Sequence, residues 1–174
     1  MVCCTGESGQ EEIARKCKIL ISKDCYQECF IPKYKHMRRF KGQWHTIEDV
    51  LFKGYFFIIS NDVDDLFMEL KKVPGLTRLL GNDGKNIYPI YKQEAMFLAQ
   101  FGEKKHSVDV SKGYIEGDVP YIRKGPLRGY EGHISKIDRH KRIAYVDVSL
   151  FGRKITVKVG LEITSKDNKK SFEL

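Results

Sequence analysis

The fold of this chain is decided by residues 115–161, which read IEGDVPYIRKGPLRGYEGHISKIDRHKRIAYVDVSLFGRKITVKVGL. Apolar and polar residues alternate in short runs at 119–123, 132–137, 145–148 and 155–159, which is the two-residue period of half-buried strands. Glycine, proline and charged residues between the runs predict turns at 125–129, 138–141 and 151–152. Short strands at such close spacing favour a small closed sheet, because closure removes exposed strand edges.

The composition sets the class of protein. The 174 residues are 41% hydrophobic and 31% charged, which is typical of a soluble globular chain with room for one average domain or two small ones. No apolar run approaches the ~20 residues of a membrane span, and the first residues lack the pattern of a secretion signal. We therefore expect a cytoplasmic protein that does not bind membranes.

The five cysteines are odd in number and absent from residues 115–161, which does not indicate a disulfide framework. Cys25, Cys29 and His36 lie close in sequence, but three ligands at this spacing are an incomplete zinc site. The sequence predicts no metal and no cofactor. It also contains none of the common nucleophile, phosphate-binding or metalloprotease motifs, so we expect a protein that is not an enzyme.

Two groups of residues resemble one family. Glu116-Gly117-Asp118, Gly125-Pro126-Leu127 and Phe151-Gly152-Arg153 resemble the KOW domain of NusG-type transcription elongation factors. Leu51-Phe52-Lys53-Gly54-Tyr55-Phe56-Phe57 and Val73-Pro74-Gly75-Leu76 resemble the NusG N-terminal (NGN) domain, with Lys53 where the family usually has proline. The two groups occur in the order expected of that family.

The remaining segments agree with this order. Residues 1–5 and 44–50 are compatible with strands, and residues 51–59 form a nearly continuous apolar strand. Helical periodicity predicts three helices. The first follows Gln10, the second runs from a cap at Asn61 or Asp62 to about Lys72, and the third covers 93–101.

The resemblance implies an α+β fold. An NGN-like domain at 1–101, an antiparallel sheet flanked by helices, would be linked to a KOW β-barrel (SH3-like) at 115–164. Residues 102–114 have no periodic apolar pattern and predict a flexible linker, and 165–174 predict a polar tail.

Positive charge is concentrated in the second domain. Residues 1–102 hold fifteen Lys+Arg against thirteen Asp+Glu, whereas 116–161 hold ten against five. A concentrated basic face attracts polyanions, and most of these bases lie in or beside predicted turns that can converge at one end of a barrel. The candidate RNA-binding residues are Arg123, Lys124, Arg128, Lys136, Arg139, His140, Lys141, Arg142, Arg153 and Lys154. An ordinary solubilising surface is the alternative.

A second basic run, KYKHMRRFK, covers residues 33–41 and alternates with aromatic residues. It predicts either a solvated hairpin tip or a nucleic-acid contact made by phosphate neutralisation and ring stacking. The candidate contacts are Lys35, Arg38, Arg39 and Lys41, and the nucleic acid could be upstream or non-template DNA.

The resemblance also implies a partner. NGN domains hold the clamp coiled coil of the largest RNA polymerase subunit in an apolar cavity, which Thr5, Tyr55, Phe57 and Leu79 would line here. The alternative for each of these residues is the domain's own core. We expect a monomer that acts in complexes.

The predicted function is processive antitermination. The factor would bind RNA polymerase and suppress pausing and termination, while a basic KOW domain, similar to LoaP-type paralogues, recognises a leader RNA hairpin. The alternatives are a housekeeping NusG whose KOW domain binds a termination factor or a ribosomal protein, and a ribosome-associated KOW protein. The β-branched and glycine-rich pattern favours strands over an RfaH-type switch to helices.

Overall fold

A computed structural model describes residues 1–6, 9–80, 89–102, 105–150 and 152–164 of the chain. Over those residues the strands are β1 (Val2–Gly6), β2 (Glu28–Phe30), β3 (Lys33–Phe40), β4 (Gln43–Val50), β5 (Phe56–Ile59), β6 (Leu76–Leu80), β7 (Ser107–Val108), β8 (Ser111–Glu116), β9 (Val119–Lys124), β10 (Ile134–Asp138), β11 (Ile143–Leu150) and β12 (Arg153–Ile163). The helices are α1 (Gln10–Leu20), α2 (Val63–Leu70) and α3 (Lys92–Gly102).

Residue contacts divide the chain into two compact units. Unit 1 consists of Met1–Pro32, Phe52–Ala99 and Ser149–Arg153. Unit 2 consists of Lys33–Leu51, Gln100–Val148 and Lys154–Leu174. The bounds of these two compact units therefore differ from the domain ranges 1–101 and 115–164 that the sequence predicts.

Unit 1 is built on an antiparallel sheet with the strand order β2-β5-β1-β6. Because alternate residues of a strand face opposite sides, the central strand β5 fills two cores. Phe56 belongs to the same buried cluster as Ile13 of α1 and Leu66 of α2. Phe57, one residue on, packs on the other face, with its ring centroid 5.8 Å from that of Phe30.

The second helix starts where the sequence predicts. The carboxylate of Asp62 accepts backbone N–H hydrogen bonds from Asp64 and Asp65, both at 3.0 Å. This side chain satisfies two of the amide groups that a helix leaves unpaired at its N-terminus. The predicted cap is confirmed at Asp62.

The apolar segment before β5 is shorter as a strand than predicted. The strand begins at Phe56, and residues 51–54 form bends and turns. Gly54 has φ +87°, a left-handed conformation that glycine adopts without strain, and its amide donates to the side chain of Gln10. Hydrophobicity alone therefore did not distinguish buried turn residues such as Phe52 from strand residues.

Unit 2 contains a five-stranded sheet with the order β10-β11-β12-β8-β9. The sequence pattern did not predict the pair formed by β8 and β9, because most of β8 lies in the segment 102–114 that was predicted to be a flexible linker. β8 pairs antiparallel with β9 and parallel with β12. The hydroxyl of the fully buried Ser111 accepts the amide of Leu127 at 3.0 Å, and a Cβ on Gly113 would lie 2.3 Å from the carbonyl oxygen of Tyr121.

Small residues thus allow close strand packing here without the apolar pattern that identifies strands. The linker prediction for 102–114 does not hold for the residues in β7 and β8.

The β3–β4 hairpin also belongs to unit 2. β3 pairs in parallel with β7 through Lys33 and Tyr34, in a three-stranded sheet of order β4-β3-β7. A Cβ on Gly160 of β12 would lie 2.4 Å from the backbone oxygen of Lys35, so β12 passes directly against the hairpin. Phe151, part of a family motif, and residues 165–174, predicted to be a polar tail, lie outside the described residues.

Candidate functional site

The lower part of the β3–β4 hairpin is electrically balanced. Lys33 pairs with Glu48 at 3.3 Å, and His36 Nε2 lies 2.9 Å from a carboxylate oxygen of Asp49. The hydroxyl of Ser107 donates to Glu48 at 2.6 Å and, together with Lys33, lowers the pKa of that carboxyl. These side chains therefore stabilise the hairpin, and their charges are largely neutralised.

Lys35, one of the four candidate contacts on this hairpin, belongs to the same balanced region. Its ammonium group lies 2.6 Å from the carboxylate of Asp109, and this hydrogen bond raises the pKa of Lys35. The sequence run 33–41 is therefore divided into a paired part and an exposed part.

All charged residues of the hairpin tip are cations. Arg38, Arg39 and Lys41 are exposed, and no carboxylate of the described residues lies within ion-pair distance of them. Phe40 is 61% exposed, with the Lys41 ammonium 5.5 Å from its ring centroid. Because side chains alternate along a strand, Arg38 lies on the same face of β3 as Phe40, and Arg39 lies on the opposite face. Exposed cations next to an exposed ring match the composition of surfaces that bind phosphates and stack bases.

The turn between β10 and β11 presents a second group of cations. Asp138 accepts the amide of Lys141 at 2.9 Å, and this hydrogen bond, with the Lys141 and His140 charges, lowers the pKa of the Asp138 carboxyl. Arg139, His140 and Lys141 are exposed. The Lys141 ammonium is 3.7 Å from Asp138, a loose and solvent-exposed pair that contributes little to stability.

Arg142 is the one member of this predicted group with a structural role. It has φ +53°, its guanidinium lies 2.6 Å from the carboxylate of Glu162, and its Cζ is 4.0 Å from the ring centroid of Trp44. The same Glu162 carboxylate is 3.3 Å from the Lys112 ammonium. Arg142 therefore fastens the hairpin to the turn, and its side chain is already engaged on two sides.

The other predicted RNA contacts are distributed around the five-stranded sheet. Lys136 lies 5.7 Å from the ring of Tyr145 on the neighbouring strand, and Arg123 lies 4.6 Å from the ring of Tyr114. Lys154 pairs with Asp147 at 2.7 Å, which lowers the pKa of that carboxyl. Exposed side chains are found at Lys124, Arg128 and Arg153.

The four residues predicted to line a partner cavity in unit 1 differ in accessibility. Thr5 and Tyr55 are half-buried, whereas Phe57 has no exposed surface. The Leu79 side chain lies outside the described part of the structure, although its backbone belongs to β6. Phe57 is a core residue because its ring packs between Phe30 and Phe52, so in this conformation it cannot contact a partner.

Several contributing residues were missed from the sequence. Trp44 is the only tryptophan of the chain, and its place opposite Arg39 on the hairpin could have marked it as a candidate. Tyr114 and Tyr121 stack with ring centroids 5.2 Å apart, and Tyr121 is 44% exposed. That stack depends on the pairing of β8 with β9 and has no signal in the sequence once β8 is overlooked.

Four of the five cysteines behave as buried apolar residues. Cys3, Cys4, Cys17 and Cys29 are buried, and burial raises the pKa of Cys29 to about 11 and of Cys17 to about 12. Among the described residues no three Cys, His, Asp or Glu side chains come together as metal ligands. No helix in the described part of the chain is long and apolar enough to cross a membrane.

The described geometry can be compared with known proteins. A family model described as "Transcription termination factor nusG" matches residues 5–98, which is more than half of the chain. The chain belongs to the NusG family. This confirms the resemblance drawn from the motifs around Gly54 and Pro74.

Curated relatives within the family cover most of the chain. The transcription termination/antitermination protein NusG of Rickettsia prowazekii is 24% identical over 162 residues, covering 91% of this chain and 83% of its own. The protein of the same name from Chlamydia trachomatis is 26% identical over 134 residues, covering 77% and 73%.

A solved NusG structure supports the fold. The structure described as "Domain interaction in Thermotoga maritima NusG" has a TM-score of 0.55 and 24% sequence identity, and it covers 93% of this chain and 92% of its own. The α+β class with a β-rich C-terminal part, predicted from the sequence, is confirmed as a NusG-like fold.

Proposed function

We propose that this NusG-family chain is a transcription elongation factor that docks on RNA polymerase through unit 1 and binds RNA through unit 2. In this proposal it suppresses pausing and termination, as a specialised paralogue of the LoaP type would. No chemical step is involved, because stabilising the elongating form of the polymerase is a coupling of binding equilibria worth about 1–3 kcal/mol.

The observation that carries the RNA step is the segregation of charge in unit 2. Acids neutralise the bases at the foot of the hairpin, whereas Arg38, Arg39 and Lys41 at the tip have no carboxylate partner among the described residues. A merely solubilising surface would mix both signs. Unpaired cations beside an exposed ring favour a flexible polyanion whose bases are accessible, which describes RNA loops better than duplex DNA.

The polymerase step rests on unit 1. Tyr55 is half-buried at the end of the turn before β5, where its ring can add contact area to a partner while remaining held by the fold. Aromatic residues of this kind contribute much of the binding energy at protein interfaces because few rotatable bonds are frozen. Phe57 supports the surface from beneath and is not expected to contact the partner itself.

The RNA step is tested with exposed residues that the fold does not need. Arg139→Gln combined with Lys141→Gln should weaken binding of a short RNA stem-loop, measured by fluorescence anisotropy, and should reduce the salt dependence. The slope of log K against log salt should fall in magnitude by about 0.7–0.9 for each phosphate contact removed. Arg142 is left unchanged, because its loss would disturb the contact with Trp44. An unchanged slope would refute RNA binding by this turn.

The polymerase step is tested separately. Tyr55→Ala should reduce the amount of purified RNA polymerase that the protein retains in a pull-down assay. The thermal unfolding transition should stay close to that of the wild type, because the side chain is only half-buried. Exposed Lys53→Ala, two residues away in the same turn, is the matched control. Full polymerase binding by the Tyr55 variant would refute this surface. RNA-independent capture of a ribosomal protein or a termination factor would instead favour a housekeeping NusG.

A further inference from the structure

The single tryptophan of the chain joins two basic segments that are far apart in sequence. Trp44 lies on β4 opposite Arg39, at the start of the cationic hairpin tip. Its ring holds the guanidinium of Arg142, which directly follows the cationic turn containing Arg139 and Lys141. The hairpin tip and the turn therefore lie on either side of one cation–π contact.

The hairpin and the turn both contact β12. The amide of Leu161 on β12 donates to the carbonyl of Arg142 at 2.9 Å, and the Arg142 side chain pairs with Glu162. One residue before, Gly160 permits the backbone of the hairpin at Lys35 to approach β12 without a side chain between them. Both basic segments are thus positioned before a ligand arrives, which lowers the ordering cost of binding.

Each of the two segments has a residue at the Trp44–Arg142 contact. Arg39 of the hairpin tip is the direct cross-strand partner of Trp44, and Lys41 belongs to the two-residue turn that joins β3 to β4. Arg139 is three residues from Arg142 on the other side of the contact. Several phosphates of one folded polyanion can therefore contact cations of both segments at once, and each such contact adds to the salt dependence of binding.

We infer that the hairpin tip (Arg38, Arg39, Lys41) and the β10–β11 turn (Arg139, Lys141) form one composite surface that binds a single RNA molecule across the Trp44–Arg142 contact. The ligand is a folded RNA that wraps around the hairpin tip. Its phosphates contact both segments, and an unpaired base stacks on Phe40, which is 61% exposed and lies with His45 on the face of the hairpin opposite to Trp44. This inference deepens the proposed RNA binding and depends on it.

The first test separates one site from two. Anisotropy titrations with a short RNA stem-loop would compare a tip variant (Arg38→Gln, Arg39→Gln, Lys41→Gln), a turn variant (Arg139→Gln, Lys141→Gln) and their combination. We expect one RNA per protein, a salt slope reduced in magnitude by about 2 in the tip variant and by about 1 or more in the turn variant, and additive losses in the combination. The matched control removes three exposed cations from unit 1 (Arg15→Gln, Lys18→Gln, Lys23→Gln).

The second test addresses the contact itself. Trp44→Leu keeps every charge of the composite surface but removes the ring beneath Arg142, so RNA affinity should fall several-fold. Trp44→Phe keeps a ring and should restore most of the affinity. Phe40→Ala should weaken binding to the stem-loop more than binding to a DNA duplex of the same length, because only the loop offers an unstacked base.

The outcomes distinguish the composite surface from the proposed function. A tip variant that behaves like the unit 1 control, or a second RNA bound per protein, overturns the composite surface while RNA binding by the turn stands. Equal binding of the DNA duplex and the stem-loop, with no effect of Phe40→Ala, overturns the assignment to RNA. No binding of RNA by the wild-type protein overturns both.

Discussion

Gly160 offers the sharpest test of how the β3–β4 hairpin is held against the C-terminal sheet. A Cβ at this position would lie 2.4 Å from the backbone oxygen of Lys35, 2.9 Å from Cγ2 of Val110 and 3.1 Å from Cα of His36. Two of these three atoms belong to backbone, which cannot move aside as a flexible side chain does. Gly160→Ala must therefore displace the hairpin from β12.

The size of the effect follows from that geometry. Ordinary contact begins at 3.4 Å, so the Lys35 carbonyl has to retreat by about 1 Å. Overpacking of this kind costs about 1–3 kcal/mol. Alanine is favoured over glycine in a strand by roughly 0.5–1 kcal/mol, which offsets part of the cost. We expect a net loss of about 1 kcal/mol in the free energy of unfolding, and of no more than about 2.5 kcal/mol.

Chemical denaturation and amide hydrogen exchange would measure this loss. Exchange should accelerate at the hairpin amides around His36, and RNA affinity should fall with it if the composite surface exists. Gly132→Ala is the matched control, because a Cβ there meets no atom within 4 Å and its φ is not positive. Equal stability of the two variants would refute the close packing of β12 against the hairpin.

Four further predictions concern unit 1. Phe57→Ala should lower the free energy of unfolding by about 3–5 kcal/mol, measured by denaturant titration, because the side chain is fully buried; a cost below 1 kcal/mol would contradict that burial. Asp62→Ala should cost about 1 kcal/mol in the same assay, since two amides of α2 lose their acceptor, whereas an unchanged midpoint would show that water replaces the cap. Stability should decline as pH rises above about 9, the ordinary pKa of a thiol, because the unfolded chain ionises there while Cys29 (pKa about 11) and Cys17 (pKa about 12) retain their protons in the fold. Iodoacetamide should accordingly label the half-buried Cys25 well before Cys17 and Cys29 at neutral pH, and equally fast labelling at all three would refute the buried assignment.

Local patterns were sufficient for several elements of unit 1 and for the family. The cap at Asp62, the helical period after Gln10 and the Val-Pro-Gly step before β6 are properties of neighbouring residues, so they can be recognised without a tertiary structure. The excess of cations after residue 116 is likewise a property of composition. None of these features depends on which distant strands pair.

Long-range pairing decided everything else. Ser111 and Gly113 belong to a strand because β8 pairs with β9 on one side and with β12 on the other. Small residues permit this close packing, but they do not form the apolar pattern from which a strand is predicted. Phe57 is a core residue and Tyr55 is partly accessible. A continuous apolar run predicts that both faces of a strand are covered, but it does not show whether the protein's own core or a binding partner covers each face.

The basic residues show the same division. The sequence by itself determined that the chain carries clusters of lysine and arginine in a NusG-family context, since charge and motif are local. Only the tertiary structure decided that Lys35 and Arg142 are paired and that no carboxylate of the described residues reaches the hairpin tip, because an ion pair depends on residues such as Asp109 and Glu162 that folding brings from far along the chain.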